Sequence, residues 1–251
     1  MRTHQDPSTR LVEALSTRLV EALSTRLVEA LSTRLVEALS TRLVEALSAD
    51  DASVRLRAAL ESGTAPDPET VTALVDRCAV EPDFFVRDML TWALCRLPAG
   101  VTVPRLLAEL GSDVSQARSQ ALHTLSKIGD PVAWPKVSGM LHDEHDEVAR
   151  SAWRAAVALV PPGSESGLAA ALGAELGRGD RDLQLSLGRA LAALDEAAAP
   201  VLDTAMNSPD PRVRAHAEAT ERIRVDPDSA FVLSVESAKR VAALGADGIR
   251  E

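Results

Sequence analysis

The chain has 251 residues with 37 acidic and 27 basic side chains, which gives a formal charge of −10 at pH 7. It contains three Phe, three Trp and no Tyr, too few aromatic residues for a β-sandwich or a β-barrel. The negative balance argues against a protein that binds nucleic acid through a basic face. These counts favour a helical protein rich in Ala and Leu, with no nucleic-acid partner.

Cysteine usage and hydropathy indicate the compartment. Cys78 and Cys95 are far apart and form no Cys-x-x-Cys pair, which argues against a disulfide scaffold or a zinc finger and favours a reducing cytoplasm. No apolar run reaches the length of about 18 residues that spans a bilayer, and the N-terminal residues lack the apolar core of a signal peptide. We therefore predict a cytoplasmic protein without a membrane partner.

The first predicted element is a long helix built from a repeated octapeptide. From Ser8 to Leu47 the sequence Ser-Thr-Arg-Leu-Val-Glu-Ala-Leu occurs five times without a substitution. It contains no Gly or Pro, and most of its residues are strong helix formers. The repeat predicts one helix of about 60 Å at about 1.5 Å per residue, or a helix broken once at a Ser-Thr step.

The octad period predicts self-association. Eight residues at about 100° each turn the apolar stripe by about 80° per copy, so the stripe winds around the helix. Periods of seven and eleven residues give supercoils, and eight matches neither. A helix that is apolar on every side is buried or associates with another chain, so a homo-oligomer is expected through the octad side chains. These are Leu11, Val12, Leu15, Leu19, Val20, Leu23, Leu27, Val28 and Leu31.

The rest of the chain alternates amphipathic segments with Gly, Pro and Asp turns, which are typical helix stops. We predict a domain boundary after Leu47, with an octad extension over 1–47 and a helical array over 48–251. The predicted helices cover about 53–62, 68–79, 84–97, 102–110, 114–128, 132–141, 147–160, 165–177, 181–194, 198–206, 211–224 and 229–243.

An arginine recurs about every 32 residues at the start of every second helix. Leu185 stands where one further arginine is expected. A unit of this size, repeated along the chain, predicts an all-α fold, an α-solenoid of about six helical hairpins. The repeated arginines are Arg55, Arg87, Arg118, Arg150 and Arg214.

Three of these helix starts, Asp113–Leu122, Asp146–Trp153 and Asp210–Ala215, resemble HEAT-like repeats of bacterial type, which typically read Asp-x-x-Val-Arg-x-x-Ala. The resemblance covers about residues 50–225. The C-terminal part is also similar to a group of actinobacterial HEAT-repeat proteins in which a sequence similar to Thr41–Asp51 opens the array once. Some members of that group are fused to a MerR-type DNA-binding domain. The resemblance implies a non-enzymatic platform for a protein partner in transcriptional or signalling regulation.

The repeated arginines have two interpretations. They could form a row that binds anions along a groove. They could instead form a structural ladder, in which each arginine pairs with an inter-repeat aspartate or caps neighbouring carbonyl groups. Each lies three to five residues after an aspartate, and we favour the structural ladder.

The densest group of potential metal ligands is His142–Glu147. Two histidines three residues apart can share a helical face, but a zinc site needs a third protein ligand, which the sequence does not supply. Acidic residues before a helix also fit capping and the helix dipole. We predict no metal and no cofactor.

The most aromatic segment, Phe84–Leu94, resembles a helix of HEAT-like alkylpurine DNA glycosylases. With the tryptophans on second helices it supplies the candidate partner-binding residues Arg87, Trp92 and Trp153, for which core packing is the alternative. No nucleophile elbow, phosphate loop or His-Glu-x-x-His motif occurs, so no catalytic residue is predicted. The other functions considered are a small-molecule sensor that uses the concave face and a DNA glycosylase.

Overall fold

The computed structural model describes residues 7–226 and, within the first helix, the side chains at 15, 16, 18–32, 34, 38 and 41–47. Every regular element in this range is helical, which confirms the predicted all-α class. The helix predicted over 229–243 lies outside the described residues.

Among the described residues there are twelve α-helices and three 3₁₀ turns. The turns are Pro68–Thr70, Pro131–Ala133 and Asp195–Ala197. The α-helices are α1 Pro7–Leu47, α2 Ala52–Thr64, α3 Val71–Val80, α4 Phe84–Arg96, α5 Ala99–Glu109, α6 Ser115–Ile128, α7 Trp134–Ser138, α8 Asp146–Leu159, α9 Glu165–Gly173, α10 Arg181–Ala192, α11 Ala199–Met206 and α12 Pro211–Val225.

The chain divides after Ala58 into two compact units. The first contains α1, which runs through all five octads without a break. Because each octad lacks Gly and Pro and consists largely of strong helix formers, nothing in the local sequence ends the helix at the Ser-Thr steps. The single helix was therefore the correct one of the two predicted alternatives.

The second unit is a solenoid of helical hairpins. The pairs α3/α4, α5/α6, α7/α8, α9/α10 and α11/α12 each pack a first helix against a second helix. The second helices also pack against one another in sequence, from α4 through α6, α8 and α10 to α12. Between α6 and α8 this packing includes a hydrogen bond of 2.9 Å between the hydroxyls of Ser119 and Ser151.

Aspartates fix where several second helices begin. Asp83, Asp180 and Asp210 have extended backbones, and their carboxylates accept hydrogen bonds from the first N–H groups of α4, α10 and α12. This is the usual chemistry of an N-cap. At the other end of α6, Gly129 takes a positive φ of 73°, as a helix-ending glycine does. The aspartates that precede Arg87 and Arg214 therefore serve the helix terminus, whereas α6 and α8 begin without a side-chain cap.

The core of the second unit lies between first and second helices and is made mainly of leucines and alanines, with Trp153 fully buried among them. The Trp153 indole N–H donates to the Leu141 carbonyl at 2.9 Å. The first helix of this hairpin is shorter than predicted over 132–141: a 3₁₀ turn begins at Pro131, and α7 ends at Ser138 before Gly139.

Candidate functional site: the arginine groove

Three of the five repeated arginines make the same pair of hydrogen bonds. In each, Nη1 donates to the two carbonyl oxygens that lie five and six residues earlier, so the guanidinium closes the loop before its helix. Hydrogen bonds from charged donors are among the stronger ones in proteins. The pairs are Arg55 with Ala49 and Asp50 at 2.8 and 2.7 Å, Arg87 with Glu81 and Pro82 at 2.8 and 2.8 Å, and Arg214 with Ser208 and Pro209 at 2.7 and 2.9 Å.

Arg118 follows the pattern in part and adds an ion pair. Its Nη1 donates to the Ser112 carbonyl at 2.8 Å, and its Nε lies 3.2 Å from an Asp143 carboxylate oxygen. Partial burial acts to raise the pKa of Asp143, but hydrogen bonds from the His145 N–H and from Arg118 hold that pKa below its ordinary value. At these four positions the guanidinium is thus engaged by the protein itself.

Arg150 departs from the pattern, because another arginine binds the carbonyls of the loop that precedes it. Nη2 of Arg178 donates to the carbonyls of Asp143 and Glu144 at 2.7 and 3.3 Å. The same guanidinium pairs with Asp146 at 2.8 Å. Arg178 lies in the loop of the following hairpin, before α10, so this loop is closed from the next repeat.

The hairpin that supplies Arg178 is the one in which Leu185 stands at the arginine position. There, Nε2 of Gln184 donates to the Gly179 carbonyl at 3.2 Å, six residues before Leu185. Gln184 thus makes one of the two bonds that an arginine makes elsewhere, while Arg178 supports the preceding loop.

Arg150 lines a groove between α8 and α10, together with Arg154 and Arg189. The groove has a volume of about 460 Å³. None of the three guanidiniums forms a salt bridge or a hydrogen bond with another described residue, and Nε of Arg150 is buried without a hydrogen-bond partner in that part of the chain. Of the residues that the structure describes, Asp182 is the one acidic residue in this groove. The rest of its wall is formed by Val157, Leu185, Ser186, Ala190 and Ala193.

A second groove of about 250 Å³ adjoins the first, and Arg154 lines both. Its wall is formed by His123, Ser126 and Lys127 from α6 and by Ser151, Arg154 and Ala158 from α8. We call the two together the arginine groove, defined by its basic side chains His123, Lys127, Arg150, Arg154 and Arg189.

Charges of the same sign influence one another in the arginine groove. Partial burial lowers the pKa of Arg154, and the neighbouring Arg150 and Arg189 lower it further. Burial also lowers the pKa of His123, with Lys127 and Arg154 acting in the same direction and Asp88 against them. The groove is therefore locally positive on a chain whose net charge is −10.

Sequence reasoning missed most of this groove. Arg154, Arg189, Lys127 and His123 were not among the predicted site residues. The signal that could have found them is the spacing of four between His123 and Lys127, and between Arg150 and Arg154, on neighbouring second helices.

The structure does not bring the three predicted partner-binding residues together on one surface. Arg87 closes its own loop. Trp92 is 37% exposed, with the Arg96 guanidinium 5.4 Å from its ring centroid. Trp153 is fully buried. This burial favours the alternative of core packing, because enclosing the large indole in the core removes its apolar area from water.

The octad side chains that the structure describes are exposed. Leu15, Leu19, Val20, Leu23, Leu27, Val28 and Leu31 are each between 56% and 63% exposed. The side chains of Leu11 and Val12 lie outside the described ones. Because these residues occupy several faces of α1, their apolar area is not confined to one stripe.

The histidines predicted as potential metal ligands pair with carboxylates. Nδ1 of His142 lies 2.5 Å from Glu175, and Nδ1 of His145 lies 3.2 Å from Asp143. Within residues 7–226, no three His, Cys, Asp or Glu side chains come together as a metal site would require. None of the helices in the same range combines the length and the apolar character of a membrane span.

A family model for HEAT repeats matches residues 86–158, the segment that runs from α4 to the end of α8. Two engineered proteins solved by the Northeast Structural Genomics Consortium are similar to this chain at 20% sequence identity. One match has a TM-score of 0.40 and covers 74% of this chain and 96% of the engineered chain. The other match has a TM-score of 0.39 and covers 77% of this chain and 60% of the engineered chain. No curated protein matches the chain.

Proposed function

We propose that the protein is a non-enzymatic binding platform for a protein partner, with its second helices as the docking face. The observation that carries this proposal is the arginine groove, whose three guanidiniums form no salt bridge within the described chain. Nε of Arg150 is buried without a hydrogen-bond partner among the described residues, and buried polar groups usually have one. Arg154 and Arg189 lie exposed beside it, so these charges are open to a ligand.

The HEAT-repeat similarity supports the platform function. It spans α4 to α8, and the arginine groove is built on α6, α8 and α10. Since these second helices pack side by side, they offer a continuous surface on which a partner can contact several repeats. Solenoids commonly bind through such extended surfaces.

Three further features belong to this proposal. The octads promote self-association, because their apolar side chains are exposed along α1. The platform serves transcriptional or signalling regulation, as the HEAT resemblance implies. It works in a reducing cytoplasm, which suits one exposed cysteine, Cys95, and one buried cysteine, Cys78, whose thiol pKa burial raises to about 12.

Two lysines make the docking face testable by cross-linking. Lys127 lines the arginine groove on α6, whereas Lys136 lies on the first helix α7 and contacts the Leu107 carbonyl. The tagged full-length chain is purified from its own cells, treated with an amine-reactive cross-linker and mapped by mass spectrometry. Cross-links to a co-purifying protein should form at Lys127 and not at Lys136.

A matched pair of variants completes the experiment. Lys127→Arg removes the reactive amine but keeps the charge, and should abolish the partner cross-links. Lys136→Arg should leave them unchanged. Partner cross-links that form at Lys136 alone would contradict docking on the second helices, and the absence of any co-purifying protein would contradict the platform function.

A further inference from the structure

We infer that the arginine groove binds an acidic segment of the protein partner, with side-chain carboxylates seated against Arg150, Arg154 and Arg189. This inference rests on the proposed platform function and names the chemistry that the docking face recognises.

The first argument is that one repeated arginine, Arg150, does not bind the carbonyls of its own loop, because another arginine binds them. At Arg55, Arg87, Arg118 and Arg214 the guanidinium is bound to the carbonyls of its own loop. At Arg150, the guanidinium of Arg178 binds the Asp143 and Glu144 carbonyls instead. Arg150 is thereby available to line the groove between α8 and α10.

The second argument is electrostatic. Lys127, Arg150, Arg154 and Arg189 line the two adjoining depressions, and among the described residues Asp182 is the single acidic one in their walls. Like charges placed side by side repel one another, which costs free energy, and a bound anion would offset that cost. Guanidiniums suit carboxylates in particular, because their planar N–H groups can bind both carboxylate oxygens at once.

The third argument concerns the size and class of the ligand. The depressions adjoin at Arg154 and extend from α6 across α8 to α10, so an extended peptide that crosses the helices can reach both. The chain as a whole carries −10 charges. Long-range repulsion therefore disfavours nucleic acid, whose binding needs a broad basic surface. A short acidic peptide needs only the local positive field.

The test measures binding of a fluorescein-labelled oligoglutamate peptide to the full-length chain by fluorescence anisotropy, at low salt and at about 0.15 M salt. Arg150→Gln, Arg154→Gln and Arg189→Gln are examined singly and together. Arg212→Gln is the matched control, since Arg212 is exposed and bonds Asp210 through its backbone N–H. Circular dichroism verifies that all variants remain folded.

The wild-type chain and Arg212→Gln should bind the peptide equally. Each groove substitution should weaken binding by about tenfold, the loss expected for one charge-assisted contact. An oligoserine peptide should not bind, and duplex DNA of equal charge should bind more weakly than oligoglutamate. Equal affinity of the triple variant and the wild type would overturn the inference, as would tighter binding of DNA.

Repeating the Lys127 cross-linking with the triple variant separates this inference from the proposed function. If the triple variant loses the peptide and the natural partner together, the groove is the acidic-segment site. If it loses the peptide but forms the same partner cross-links as the wild type, the platform function stands and the acidic-segment inference fails.

Discussion

The backbone N–H of Gly177 donates a hydrogen bond to Nδ1 of His216 at 3.0 Å. The opposite ring nitrogen, Nε2, lies 2.8 Å from the Gln184 carbonyl. One nitrogen thus accepts and the other donates, an arrangement that only the neutral imidazole satisfies. Burial lowers the pKa of His216, although the bond to Gln184 acts in the opposite direction. Protonation of Nδ1 would break the link between α12 and the loop before α10.

The His216 arrangement predicts loss of stability in mild acid. Because its folded-state pKa lies below the value of about 6.5 in the unfolded chain, the unfolded state binds more protons as pH falls. The contribution of His216 to the free energy of unfolding is therefore complete above about pH 6.5 and decreases as pH falls through the folded pKa.

Urea unfolding near pH 7.5 and near pH 5 checks the His216 prediction. His216→Gln should be less stable than the wild type at the higher pH, and the difference should shrink at the lower pH. His123 also titrates in this range, with a lowered pKa, so the difference between the two chains is the relevant quantity. A difference that does not change with pH would contradict the prediction.

The loop-closing arginines should contribute to stability. Arg214→Ala removes two hydrogen bonds to the Ser208 and Pro209 carbonyls and should lower the free energy of unfolding by about 1–3 kcal/mol. The matched control is Arg212→Ala on the same helix, an exposed side chain, for which we expect a change within about 0.5 kcal/mol. Chemical denaturation of both variants measures the two changes in the free energy of unfolding. Equal effects would mean that the carbonyl contacts add nothing to stability.

Gly63 packs against Trp92 so closely that a Cβ at position 63 would overlap the indole ring. Gly63→Ala should force the ring to move and cost about 1–3 kcal/mol. Gly167, in α9, has open space around the same position, and Gly167→Ala should stabilise the protein by up to about 1 kcal/mol through helix propensity. Opposite shifts in the urea midpoint are expected. A Gly63→Ala variant as stable as the wild type would contradict the close packing.

Deleting residues 8–39 removes four whole octads and keeps the junction with Ser40. The described Leu and Val side chains in this range are more than half exposed, so the melting temperature should change by less than a few degrees. Self-association through this surface should be lost. Light scattering over a range of concentrations should show association of the full-length chain and a monomeric deletion variant. Two monomers would contradict octad-driven association, and a large fall in melting temperature would show that the octads belong to the core.

The helical class, the hairpin periodicity and most helix ends of this protein could be predicted from the sequence. These features depend on residues close together in the chain. Helix formers without Gly or Pro specify α1, and aspartates such as Asp83 and Asp210 cap the helices that follow them. The regular spacing of arginines also reflected a repeated local contact with carbonyls five and six residues earlier, which Arg55, Arg87 and Arg214 make in full.

Which arginine lines a groove and which tryptophan is buried depends on the tertiary structure. Arg150 and Arg214 follow the same local pattern, and they differ because Arg178, 28 residues after Arg150, reaches back to the Asp143 and Glu144 carbonyls. Trp153 and Trp92 both lie on second helices, yet Trp153 is enclosed and bonds to Leu141 while Trp92 is partly exposed. Both outcomes depend on how neighbouring repeats pack, and spacing along a single helix carries no information about the side chains that an adjacent repeat brings to it.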